Sequence, residues 1–127
     1  MHKRTVQLAV FEDWAERRVV TLTASGGLVF IHELTTGDVT RDVFGSARHT
    51  HEICLTAPNA NRLAQVVASH RVGMVAALRH FFGAGDPEVE PLRLVDLLDV
   101  LDWCGMLYTY TSSTSEGGVI RTPCLAG

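Results

Sequence analysis

Val19-Val20-Thr21-Leu22-Thr23-Ala24-Ser25-Gly26-Gly27-Leu28-Val29-Phe30-Ile31-His32-Glu33-Leu34 is the stretch that decides the fold. Two runs rich in β-branched residues flank Ser25-Gly26-Gly27, and glycine supplies the positive φ that a tight hairpin turn requires. The two-residue period of a strand puts Leu28, Phe30, His32 and Leu34 on one face and Val29, Ile31 and Glu33 on the other. Both faces are largely apolar through residue 31, as expected of a central strand covered on at least one side. Before the hairpin, residues 5–11 alternate, with Val6, Leu8 and Val10 on one face, and read as a first strand. After it, Thr36-Gly37-Asp38 marks a turn. Residues 38–44 read as a short helix ended by Gly45, with a strand over 39–44 as the alternative. Residues 49–56 form the next strand, with His49, His51, Ile53 and Leu55 on one face and Thr50, Glu52, Cys54 and Thr56 on the other.

Thr56-Ala57-Pro58 opens a helix, since threonine is a favoured N-cap and proline is tolerated in the first turn. Its expected buried stripe is Leu63, Val66, Val67 and His70. A second helix over about 71–82 groups Met74, Leu78, Phe81 and Phe82 and stops at Gly83. Pro87 and Pro91 bracket a linker to a last helix over about 91–104. That helix turns Leu94, Leu97, Leu98 and Leu101 inward, and Gly105 stands just past its end. Leu107 to Thr111 reads as a closing strand by β-propensity. The expected architecture is α+β: an antiparallel meander of about four to five strands against about three helices, with a closing C-terminal strand. Residues 1–111 form one domain and 112–127, which begin small and polar, a flexible C-terminal tail.

A chain of 127 residues suits one domain. Its composition, 46% hydrophobic and 20% charged, is that of an ordinary globular protein. No apolar run approaches the roughly 18 residues that span a bilayer, so a cytoplasmic location without membrane contact is expected. Cys54, Cys104 and Cys124 are odd in number and widely spaced, which argues against a disulfide framework or a zinc ribbon. The basic residues are ten arginines and one lysine, a bias that fits a GC-rich bacterial or phage genome. Charge is unevenly spread. Residues 1–85 carry nine Lys/Arg against seven Asp/Glu, whereas residues 86–127 carry two against seven.

Candidate chemistry gathers at His49-Thr50-His51-Glu52. His49 and His51 share a strand face and could share a metal ion, with a third ligand from His32 or Glu33 on a neighbouring strand. His32, His49, His51 and Glu52 therefore make an alternative ligand, metal or acid–base set. No nucleophile-elbow motif, glycine-rich phosphate loop or zinc-deaminase signature is present, so no catalytic residue and no cofactor is assigned. Arg17, Arg18, Arg41 and Arg48, with Phe30 or Trp14, sketch a single-stranded nucleic-acid surface, but the pI of about 6.0 argues against it. On the last helix Asp96, Asp99 and Asp102 recur every third residue opposite the leucines, and Glu88 and Glu90 extend the acidic patch. Such a stripe suits a basic protein partner.

In the order of its elements, a meander, one to three helices and a closing strand, the stretch from about 19 to 111 resembles small bacterial immunity-type proteins. That resemblance implies a non-enzymatic binder of a toxin or effector, acting through an acidic face. Glu88, Glu90, Asp96, Asp99 and Asp102 are the expected contact residues. Residues 5–11 or 107–111 could also pair as edge strands across a homodimer.

Overall fold

The computed structural model describes residues 3–68, 73–83, 92–114 and 117–122, with side chains through residue 113. The elements run β1 (Arg4–Glu12), β2 (Glu16–Ser25), β3 (Leu28–Gly37), α1 (Asp38–Phe44), β4 (Arg48–Thr56), α2 (Ala57–Ala68), α3 (Met74–Phe81), α4 (Leu94–Cys104), β5 (Thr109–Thr114) and β6 (Gly117–Thr122). The fold is α+β. The six strands among the described residues form one antiparallel sheet in the order of the chain. β2 and β3 pair from Glu16 opposite Gly37 to Ser25 opposite Leu28, turning through Gly26 and Gly27 at positive φ.

Two expectations need correction. Residues from 112 onward are not all loose tail: β5 runs to Thr114, and β6 adds a sixth strand to the sheet. The small polar run Ser112 to Gly118 looked like coil, yet it contains the end of one strand and the start of the next. The stripe expected on α2 is met in part: Leu63 is buried and Val67 packs against the core, but Val66 does not belong to it. Val66 is half exposed, and beside Leu63 the helix buries Ala60, Ala64 and Ala68. Small alanines on that face let the helix lie close to α3, a contact that hydropathy alone underrates. His70, the last member of the expected stripe, lies outside the described residues, as does Cys124.

The 38–44 segment is a helix. Asp38 stands in its first turn, and Gly45 closes it in the left-handed conformation, its N–H donating to the Arg41 carbonyl. The inner face of the sheet divides into two halves. Val20, Leu22, Val29, Ile31, Ile53 and Leu55 form an apolar half, against which α2, α3 and α4 bury Leu63, Leu78, Phe82, Leu94, Leu97 and Leu101. Beyond it the same face continues as Arg18, Glu33, Thr35, His49 and His51, all buried as well. The opposite face is half exposed and rich in threonine, with Thr5 bonded to Thr23 and Thr50 to Ser113. That is the usual hydrated side of an antiparallel sheet. Among the described residues, no helix is long and apolar enough to cross a membrane.

Gly37 sets where α1 leaves the sheet. Its φ of 130° is open essentially only to glycine, and a Cβ there would collide with the Ala15 carbonyl oxygen. That same oxygen accepts the Asp38 N–H at 2.9 Å. Gly27→Ala, whose methyl group would meet open space, should cost only the positive-φ penalty, about 1–2 kcal/mol. Gly37→Ala adds the backbone collision and should cost more, about 3 kcal/mol. Urea unfolding of both variants measures the difference.

Candidate functional site

Strand alternation and register bring five buried polar side chains together on the inner face. Glu33 on β3 is opposite His51 on β4, and Thr35 is opposite His49. Arg18 on β2 is opposite Thr35 and therefore diagonal to Glu33. Across β4, His51 is opposite Ser112 of β5.

Glu33 is the centre of this network. Its Oε1 accepts from His51 Nε2 at 2.6 Å. Its Oε2 accepts from the Arg18 guanidinium at 3.1 Å and from the Leu94 backbone N–H at 3.1 Å. Burial alone would raise the carboxyl pKa. The bond and charge of His51, the charge of Arg18 and the Leu94 N–H outweigh burial and hold it at about 2. Because the ionised carboxylate can only accept, His51 Nε2 carries the hydrogen. In the neutral ring Nδ1 is then an acceptor, facing the Tyr110 hydroxyl at 2.9 Å.

Arg18 is held equally firmly. It donates to the Leu92 carbonyl at 3.0 Å and lies 4.2 Å from the centre of the Phe11 ring. Burial pushes its pKa down, and Glu33 opposes that shift. His49 bonds Ser112 Oγ through Nε2 at 2.7 Å and stacks flat on Phe44 with ring centres 3.7 Å apart. Burial, and then the neighbouring His51, lower the His49 pKa from its usual value, which favours the neutral ring.

Above this floor is a cavity of about 160 Å³. Glu33, Thr35, His49 and His51 line it from the sheet. Val39, Thr40, Val43 and Phe44 line it from α1, and Glu16, Arg93 and Val95 complete its rim. The Thr35 hydroxyl is buried and has no hydrogen-bond partner among the described residues. α1 is oriented contrary to the usual rule for surface helices. It buries Thr40, whose hydroxyl donates to Glu16 Oε1 at 2.7 Å, and exposes Val39, Val43 and Phe44 at 49%, 66% and 46%.

The structure divides the sequence-predicted ligand set. His49 and His51 belong to the buried cluster, whereas His32 and Glu52 face each other across β3 and β4 on the hydrated side. Burial lowers the His32 pKa, an effect that Glu52 opposes. Among the described residues, no group of three or more His, Cys, Asp or Glu is arranged to hold a metal ion. The site's other members, Arg18, Thr35 and Tyr110, were missed. Arg18 was legible as an arginine in step with Val20 and Leu22, on the parity of the buried face.

The acidic stripe is also partly committed. Asp96 accepts the Arg93 backbone N–H at 2.7 Å at the start of α4. Asp102 accepts the Tyr108 hydroxyl at 2.7 Å and raises the Tyr108 pKa to about 12. Asp99 is exposed, and Glu88 and Glu90 lie outside the described residues. Of the arginines considered for nucleic acid, Arg18 is buried and Arg17 pairs with Glu12 at 3.2 Å. Comparison with protein-family models, curated proteins and solved structures found no match.

Glu33 is ionised at a pH where the same group in the unfolded chain, near 4.5, is already protonated. Its contribution to stability is therefore complete above about pH 4.5 and lost as the pH falls toward 2. The shift corresponds to about 3 kcal/mol. Acid unfolding followed by circular dichroism should show this loss in the native chain and a flatter profile in Glu33→Gln. At neutral pH that substitution leaves Arg18 buried without its counter-charge and should cost about 3–5 kcal/mol.

Proposed function

We propose that this protein binds a small molecule in the cavity between α1 and the polar half of the sheet. One observation carries the reading: a threonine whose buried hydroxyl has no partner among the described residues lines a preformed cavity, and the helix closing that cavity exposes its apolar residues. An unmet buried hydroxyl costs about 1–3 kcal/mol. A ligand that bonded it would recover that cost while covering Val39, Val43 and Phe44.

Binding fits the cluster better than catalysis does. Glu33 is engaged by three donors from three elements, and His51 is held between Glu33 and Tyr110. The hydroxyl–imidazole pair of Ser112 and His49 resembles part of a catalytic triad, but the nearby carboxylate is committed to His51.

The test is a titration of the isotopically labelled chain with uncharged compounds of about six non-hydrogen atoms, a size that suits such a cavity. Amide signals of residues 35, 40, 43 and 49 should shift together and saturate. Val43→Asp changes an exposed position, so stability should stay within about 0.5 kcal/mol. Binding should weaken about tenfold. If no compound moves those signals at millimolar concentration, the cavity is not a binding site.

A second reading, capture of a toxin or effector protein through α4, has one observation in its favour. Trp103 is 86% exposed and stands beside Asp99 and Asp102. Exposed tryptophans are frequent anchors of protein interfaces. If this face binds, Asp99→Arg with Trp103→Ala should abolish stoichiometric co-purification of a basic partner, and the purified pair should no longer reassociate by calorimetry.

A further inference from the structure

The chemistry of the cavity wall goes further than the presence of a cavity. We infer that its ligand is an uncharged amphiphile: a hydroxyl, carbonyl or amide head placed against Thr35, and an apolar body of about six carbons leaving between α1 and Val95. This inference rests on the binding reading above and names the ligand class for the same site.

The head follows from what the floor has left to offer. The Glu33 charge is balanced by Arg18 behind it, and its oxygens already accept three hydrogen bonds. His49 is biased toward its neutral form and bonded to Ser112. At the rim, Glu16 and Arg93 are of opposite sign, and Glu16 is engaged by Thr40. No net charge is therefore presented to select a charged head, and drawing one out of water would cost several kcal/mol without a dedicated partner. The unspent group is the Thr35 hydroxyl, which can both donate and accept. It matches a neutral polar group.

The body follows from α1. A helix that buries threonine and exposes two valines and a phenylalanine leaves apolar surface continuous with the cavity mouth, and the exposed Val95 faces the same opening. An apolar cavity of closely similar volume accommodates a six-carbon ring. A longer chain must therefore run out over Val43 and Phe44, where only one side is covered.

The experiment titrates the full chain with 1-butanol, 1-pentanol, 1-hexanol, hexanoate and hexylamine, reading the amide signals of the cavity residues. The dissociation constant should fall about fourfold per added methylene across the alcohols. Hexanol should bind at least tenfold more tightly than hexanoate or hexylamine. Thr35→Val should weaken hexanol about three- to tenfold and leave benzene binding unchanged. If either charged compound binds more tightly than hexanol, or chain length has no effect, the neutral-amphiphile assignment is overturned while the cavity remains a binding site. If none of the compounds moves the cavity signals, both fall together.

Discussion

The polar end of the sheet depends on keeping one carboxylate ionised away from water. Glu33 is almost completely buried, and a bare charge in that position would cost several kcal/mol. Its three hydrogen-bond donors come from β2, β4 and the first residue of α4. Each bond therefore does more than satisfy an oxygen. The Arg18 bond ties β2 to β3, the His51 bond ties β4 to β3, and the Leu94 N–H pins the start of α4 over the sheet. Arg18 reinforces that last contact through the Leu92 carbonyl. Satisfying the charge and positioning the helix are the same event.

This arrangement explains why the inner face is divided. On the apolar half, leucines of α2–α4 interdigitate with valines and isoleucines of the sheet, and nothing directional is required. On the polar half Arg18, Glu33, His49 and His51 are each committed to a partner at a defined distance, so none of the four can swing inward to fill space. α1 reaches over this half from a glycine-dependent turn at Gly37 and is fixed by the bond from Thr40 to Glu16. A rigid floor and a pinned helix leave a gap between them. An ordinary apolar core would shrink around such a gap, because each lining atom gains from closer contact.

Much of the fold was legible because its signals are local. The Gly26-Gly27 turn fixed the register of β2 and β3, Gly45 and Gly105 ended their helices, and period-2 alternation assigned the correct faces to Glu33, His49 and His51. The failures concern information that is not local. The Ser112–Gly118 run has little apolar content, and its place in a sheet depends on pairing with β4 and within the C-terminal hairpin. The acidic stripe on α4 looked uncommitted because a helical wheel does not show that Asp96 bonds the Arg93 N–H or that Asp102 meets Tyr108. The site itself was half visible. His49 and His51 were identified, with Glu33 or His32 as a third ligand from the neighbouring strand, but grouping them with His32 and Glu52 disregarded strand parity. Parity with the hairpin register selects Glu33 over His32 and adds Arg18, since diagonal neighbours across a strand pair are within reach of long side chains.

The same bonds that build the cluster also limit its chemistry. A general base needs a free lone pair near the proton it takes, and a triad needs a carboxylate behind the imidazole that touches the nucleophile. Here the carboxylate is behind His51, whose second nitrogen meets a half-buried tyrosine, while the imidazole touching Ser112 is a different one. A cluster wired in this way is suited to holding its shape. Fixed, charge-balanced walls reduce the ordering cost of binding, and a single unspent hydroxyl supplies direction without demanding a charged ligand. On the proposed binding reading, the exposed valines and phenylalanine of α1 acquire a physical reason: they are the part of the cavity wall that a ligand would complete.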